Sequence, residues 1–191
     1  MNDGNSRIVP EKPGAVDFGG NKFGAMLSLQ MDMPAIRVLI VEDFEPWRRF
    51  ISSELQKQSN LQAIGEVSDG LEAVQLAEEL QPDLILLDIG LPTIDGIEAA
   101  RRIREVSPTS RILFVSETRS AEIAQAALNT GAGGYVLKSD AGNELLAAIK
   151  AVLQGKRFVS AGLAGHFLVA TTVATTQTLL TSMVMLISGI R

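Results

Sequence analysis

Leu84-Ile85-Leu86-Leu87-Asp88-Ile89-Gly90-Leu91-Pro92-Thr93-Ile94-Asp95-Gly96 is an apolar run that stops on a carboxylate and gives way to a Gly/Pro loop. Pro82 bounds it on the other side. The short run between these breakers predicts a buried strand over Asp83–Asp88. A strand apolar at every position, rather than at alternate ones, needs cover on both faces, as in a parallel sheet. Asp88 then stands where the strand leaves the sheet. In open α/β sheets that carboxyl-terminal edge is where ligands bind. Taken alone, an acid in this place is more often a solvated loop residue or a helix cap. Its meaning depends on what ends the other strands.

Upstream, Ile36-Arg37-Val38-Leu39-Ile40-Val41 predicts a first strand, ending on Glu42 and Asp43. Glu45-Pro46 opens a helix, with proline in the first turn where its missing N–H costs nothing. Trp47, Phe50, Ile51 and Leu55 recur at helical spacing and form its core-facing stripe. A second strand is predicted over Gln62–Val67. Asp69-Gly70 then leads into a helix through Leu80. Downstream, Asp95 is placed to cap a helix from Gly96 to about Val106, since its carboxylate can accept free first-turn amides. Arg111-Ile112-Leu113-Phe114-Val115 is a fourth strand ending at Ser116, followed by a helix from Ser120 to Thr130. Gly133–Leu137 is a fifth strand ending at Lys138. Asp140 or Ser139 caps a last helix that reaches Gln154 and is stopped by Gly155. Strands alternating with helices in this way predict an α/β fold. The expected form is a doubly wound, five-stranded parallel sheet of order 2-1-3-4-5, flavodoxin-like, with helices on both faces.

The bulk composition narrows the chemistry. The chain has 191 residues, 46% hydrophobic and 20% charged, as a globular protein does. A net charge of −5 without a basic stripe argues against a strong generic grip on nucleic acid. The absence of cysteine excludes disulfides, thiolate metal sites and thiol catalysis. The one histidine, His166, rules out a His-rich metal site. No basic start followed by an apolar run marks a secretory signal, so a cytoplasmic location is expected.

In the predicted order the first and third strands are neighbours, which brings Glu42, Asp43 and Asp88 into one pocket. Like charges this close destabilise one another unless a cation or proton intervenes. A pocket of oxygens alone suits a hard ion, best Mg²⁺ with several waters kept. Lys138 and Ser116 face the same pocket, and an ammonium with a hydroxyl donor can hold phosphoryl oxygens.

Four pieces of the chain carry a family resemblance. They are Val41-Glu42-Asp43, Leu87-Asp88-Ile89-Gly90-Leu91-Pro92 with Asp95-Gly96, Val115-Ser116, and Gly131-Ala132-Gly133-Gly134-Tyr135-Val136-Leu137-Lys138. In order, spacing and strand position the chain from Ile36 to about Val159 resembles the receiver domain of two-component response regulators. The phrase from Gly131 to Asp140 and Gly155-Lys156-Arg157-Phe158 are most similar to the NarL/FixJ class. The resemblance implies that Asp88 accepts a phosphoryl group from a sensor histidine kinase. It implies that Glu42, Asp43, Asp88 and the Gly90 carbonyl hold Mg²⁺, and that Lys138 pairs with Asp88 and then with the phosphoryl group. Ser116 and Tyr135 would be the switch, Tyr135 turning inward once Ser116 engages the phosphoryl group. A homodimer is a compatible assembly. Such a protein is a phosphoacceptor with slow autodephosphorylation rather than an enzyme of turnover. A dehalogenase-type phosphatase, which resembles Asp-x-Asp, would lack its second acid here, because that position is Gly90. Where receivers commonly carry a small residue after the strand-four hydroxyl, this chain has Glu117, a carboxylate that could crowd or repel an incoming phosphodonor or alter access for hydrolytic water, so that phosphorylation rate and lifetime both depend on it.

Three segments are expected: a disordered leader at 1–35, a receiver domain at 36–157, and an apolar, Thr-rich tail at 158–191 with no recognisable domain. The leader is rich in glycine and proline and has no period. The tail holds no Asp, Glu, Lys or Arg before Arg191. It therefore lacks the charged, amphipathic helices of a helix-turn-helix, and DNA binding by this chain is not expected. Three readings of the tail are ranked: a frameshift or truncation scar from a NarL/FixJ-type transcription factor, a packing segment, and a bilayer span. Residues 167–190 are long enough for the last. Their many Thr and Ser side chains and lack of flanking anchors place it third.

Overall fold

A computed structural model describes residues 34–163. Its elements in chain order are β1 Ile36–Val41, α1 Glu45–Gln56, β2 Leu61–Val67, α2 Gly70–Leu80, β3 Leu84–Leu87 and α3 Gly96–Val106. They continue with β4 Arg111–Ser116, α4 Ala121–Asn129, β5 Gly134–Leu137, a 3₁₀ turn Lys138–Asp140, α5 Ala141–Leu153 and β6 Phe158–Val159. The strands pair in parallel in the order β2-β1-β3-β4-β5-β6. The predicted 2-1-3-4-5 doubly wound, flavodoxin-like sheet is thus present, with one strand added at the β5 edge.

The unbroken apolar strands are explained by two cores. Leu39, Val41, Ile85, Leu87, Ile112 and Phe114 face α2, α3 and α4, where Ala73, Ala77, Ala100, Ile103 and Ala127 pack against them. The intervening residues Val38, Ile40, Leu84, Leu86, Leu113 and Val115 face α1 and α5, meeting Ile51, Leu55, Leu145 and Ile149. Successive side chains of a strand point to opposite faces, so a sheet covered on both sides leaves no position for a polar residue. Two helices start as expected. Asp69 accepts from the Leu71 and Glu72 amides, and Asp95 accepts from Glu98 N. Asp140 does not cap α5 with its side chain. The 3₁₀ turn occupies that junction, and Ser139 Oγ donates to Asp140 Oδ1 instead.

The tail expected from residue 158 does not begin there. Phe158–Val159 runs beside β5, with Phe158 N donating to the Gly133 carbonyl and Ser160 N to that of Tyr135. The buried Ser160 hydroxyl accepts from Leu137 N at 2.9 Å and donates to Glu144. Leu163 is wholly buried in the core under α2, α3 and α4. An open strand edge leaves unpaired backbone donors and acceptors, and these few residues satisfy the edge of β5. Among the described residues no helix is long and apolar enough to cross a membrane. The expected leader up to residue 33 and the tail from residue 164, including His166, lie outside the described residues.

Candidate functional site

Strand register brings the polar residues together. Val41 is opposite Leu87, and Leu87 is opposite Phe114. Ser116 is opposite Leu137. Each next residue therefore emerges at one rim: Glu42 and Asp43 after β1, Asp88 after β3, Lys138 after β5. Backbone bonds continue the ladder to that rim, with Asp88 N donating to Val41 O and Glu42 N to Val67 O, each at 2.9 Å. A pocket of about 440 Å³ opens there, lined by Asp43, Phe44, Asp88, Gly90, Ser116, Glu117, Thr118 and Lys138.

Lys138 is the centre of charge in this pocket. Its ammonium donates to Glu42 Oε1 at 2.8 Å and lies 3.3 Å from Asp88 Oδ2. It is also 2.7 Å from Glu42 Oε2, but out of line for a hydrogen bond. Glu42 Oε2 is consequently buried with no donor among the described residues. Glu42, Asp88 and Lys138 are all buried, while Asp43 is exposed. Burial pushes the carboxyl groups of both Asp88 and Glu42 above their ordinary range, and Lys138 pulls each partly back. Three carboxylates thus face one ammonium, and the local charge is not balanced.

This arrangement fits a hard divalent cation. Glu42, Asp43 and Asp88 each offer an oxygen, all within 4.8 Å of one another. The donors are carboxylates, the excess charge is negative, and Glu42 Oε2 receives no hydrogen bond among the described residues. Gly90 is exposed on the same pocket wall.

Ser116 and Tyr135 occupy the other side. Ser116 Oγ is buried and accepts from Thr118 N at 3.3 Å. The Tyr135 ring is wholly buried, tilted against Phe114, and its hydroxyl donates to the Thr118 carbonyl at 2.8 Å. Burial raises its phenol above the usual value. Tyr135 is therefore already inward here, the position the resemblance reserves for the engaged switch. The Thr118 backbone links the two residues.

Sequence reasoning missed three contributors. Arg48 donates to the Glu42 carbonyl at 2.7 Å and so secures the acidic loop. Trp47 belongs to the core stripe as expected, stacked edge-on with Phe50, but its ring also stands 5.8 Å from the Lys138 ammonium. Phe44 is 54% exposed at the pocket mouth. A large apolar residue between two acids and a helix start was the available signal for Phe44. Nothing in the sequence signalled the other two.

The loop after Asp88 is held by a close approach. A Cβ on Gly96 would lie 1.9 Å from the Asp88 carbonyl oxygen. Gly96 N donates back to Ile89 O at 2.9 Å. Gly96→Ala must push the Asp88 backbone aside, so chemical denaturation should show a loss of about 2–3 kcal/mol.

Comparison with known proteins gives one consistent result. The response regulator receiver domain family model matches residues 38–150, more than half of the chain. The transcriptional regulatory protein LiaR of Bacillus subtilis is 37% identical over 134 residues, which cover 70% of this chain and 63% of that protein. A crystal structure of a LuxR-family two-component response regulator from Aurantimonas sp. SI85-9A1 has a TM-score of 0.63 at 35% identity, covering 69% of this chain and 94% of the other. The response regulator domain of Thermotoga maritima CheB aligns with a TM-score of 0.59 at 32% identity, over 63% of this chain and 97% of the domain. The chain spans about three fifths of the length of the curated relatives it matches, 63% of LiaR and 58% of VraR from Staphylococcus aureus.

Proposed function

Because this chain belongs to the response regulator receiver family, we propose that it is the phosphoacceptor of a two-component relay, with Asp88 as the nucleophile. The observation that carries this reading is the contact of one buried ammonium, on Lys138, with both Glu42 and Asp88 at the rim where Ser116 also emerges.

In the proposed step an Asp88 carboxylate oxygen attacks the phosphorus of a phosphohistidine on a sensor kinase. A P–O bond forms, the P–N bond breaks, and its electron pair returns to the imidazole nitrogen, which keeps its neutral form after proton exchange with solvent. Lys138 stays beside the new acyl phosphate and offsets its charge. Ser116 donates its hydroxyl to a phosphoryl oxygen, giving up the Thr118 amide. Mg²⁺ held by Glu42, Asp43, Asp88 and the Gly90 carbonyl would supply charge neutralisation for the phosphoryl oxygens. Glu117, exposed at the rim, slows the approach of an anionic donor.

The output is a change in population between two arrangements of the Ser116–Thr118–Tyr135 corner. Moving such an equilibrium from 1:99 to 99:1 takes about 5.5 kcal/mol of differential binding. The partner controlled in this way is a homodimer mate or another protein. LiaR is a transcriptional regulatory protein, and a DNA-directed output of this chain would require a region beyond the described residues.

Incubation with Mg²⁺ and acetyl phosphate should add one phosphoryl group by intact mass, and peptide mapping should place it on Asp88. Chelation of the metal should suppress the addition. A phosphoryl group elsewhere, or none, would overturn the reading.

A further inference from the structure

The edge of the sheet opposite the acidic rim carries a second pocket of about 370 Å³, and it is cationic. Arg104 from α3, Arg111 from the start of β4, and Lys156 and Arg157 from the α5–β6 connection line it, and no carboxylate does. In a chain of net charge −5 this is a local concentration of positive charge. None of the four forms an ion pair among the described residues. By contrast Arg48, Arg49, Lys57, Arg101, Arg102 and Lys138 each have an acidic partner.

Two of the cations are held in place by backbone carbonyls. Arg104 donates to Ser110 O at 3.1 Å and to Gly131 O. Its Nε is buried with no acceptor among the described residues. Arg111 donates to the Val152 carbonyl at 3.0 Å. These bonds tie down the ends of α3 and α5, which is a sufficient structural reason for one edge of each guanidinium. They do not account for the unused Arg104 Nε, nor for the exposed side chains of Lys156 and Arg157, whose charged ends have no ion-pair partner among the described residues. Burial and the neighbouring Arg111 charge both disfavour the protonated form of Arg104, as expected of a cationic site with no counter-anion.

We infer that this pocket binds a small phosphate-bearing anion, a diphosphate or triphosphate, through Arg104, Arg111, Lys156 and Arg157. Guanidinium groups match phosphate oxygens with paired donors, and fixing their orientation beforehand reduces the entropy lost on binding. Four cations around one cavity suit more than a single phosphate. The recessed position of Arg104 favours a small ligand over a duplex, whose phosphates would meet only the exposed Arg111, Lys156 and Arg157. The inference is independent of phosphorylation at Asp88, since the two pockets lie at opposite edges of the sheet.

The test is calorimetric titration of the full chain with inorganic pyrophosphate in EDTA, which removes metal-assisted binding at the acidic rim. Parallel titrations use ADP, orthophosphate and a short DNA duplex. Pyrophosphate or ADP should bind one to one, and the double variant Lys156→Gln/Arg157→Gln should weaken binding at least about tenfold. Asp88→Asn should leave it unchanged. Tighter binding of ADP would identify a nucleotide as the natural source, and equal binding a free diphosphate. Three results would overturn the proposal: no saturation of either diphosphate by about 10 mM, equal affinity in the double variant, or binding of the duplex that pyrophosphate does not displace. Because both substituted side chains are exposed, the variant's thermal unfolding should match the parent, so loss of binding cannot be ascribed to misfolding.

Discussion

Asp88→Asn is expected to abolish phosphoryl incorporation from acetyl phosphate, by about 10³-fold or more, while making the metal-free protein more stable. The first effect follows from removing the nucleophilic oxygen. The second follows from electrostatics. Burial is the largest influence on the Asp88 carboxyl and raises it above its ordinary value, with Lys138 opposing and Asp43 reinforcing. A carboxyl raised in the folded state contributes most to stability below its unfolded value of about 3.9 and loses that contribution as pH rises through the folded value. At neutral pH the ionised Asp88 therefore weakens the fold, and the amide relieves it. The expected gain is about 1 kcal/mol, or a rise of a few degrees in Tm. The gain should shrink as pH falls through the raised folded value, where the wild-type carboxyl takes up its own proton. Under the proposed metal site, added Mg²⁺ should narrow it, because an ion held there would stabilise the wild type by mass action and would have fewer charged ligands in the variant. Thermal unfolding across this pH range, with and without the ion, checks both parts. Equal Tm values at neutral pH in EDTA would show that Asp88 is better solvated than its 6% exposure implies.

Lys138→Met is expected to have the opposite effect on stability. The ammonium is the cation shared by Glu42 and Asp88. Removing one member of a buried ion pair leaves an uncompensated charge, at a cost of about 3–5 kcal/mol. Part of that cost is avoided if Glu42 or Asp88 takes up a proton, so the lower end of the range applies. Both carboxyls are already raised, mainly by burial, and loss of Lys138 raises them further. By the same sign argument the deficit should be small near pH 4–5 and grow toward pH 8. Denaturant melts at several pH values measure it. The double variant Glu42→Gln/Lys138→Met should recover most of the loss, since it removes the charge the lysine had balanced. Phosphoryl incorporation should stay low in both variants, which separates the structural role of Lys138 from its role beside the phosphoryl group.

Both expectations concern residues that could be named without coordinates, and the reason is physical. A parallel sheet covered on both faces requires unbroken apolar strands. Where polarity returns in such a strand, the chain has reached the rim. Val41 to Glu42, Leu87 to Asp88 and Leu137 to Lys138 all mark that transition, and the strand register then brings the three to one rim. The cap at Asp95 was legible for a similar local reason, because a short carboxylate satisfies amides two or three residues away, and Asp69 caps its helix in the same way.

What involved distant partners was not legible in this way. Lys138 stands 3.3 Å from Asp88 as the resemblance implied, but that its aligned hydrogen bond goes to Glu42 was not readable from the strand ends. That the Tyr135 hydroxyl is seated on the Thr118 carbonyl could not be read from its sequence neighbours. Phe158 and Val159 were assigned to a tail because two residues are too few to show a period, while the unpaired edge of β5 draws them into the sheet. The cationic pocket joins residues from α3, β4 and the α5–β6 connection, each unremarkable among its sequence neighbours. The alternation of elements, the two-faced core and the residue types that end each strand depend on local pattern and burial, so they can be read along the chain. Which charge faces which is set by the packing of remote segments, because a few ångströms separate an ion pair from an unpaired carboxylate.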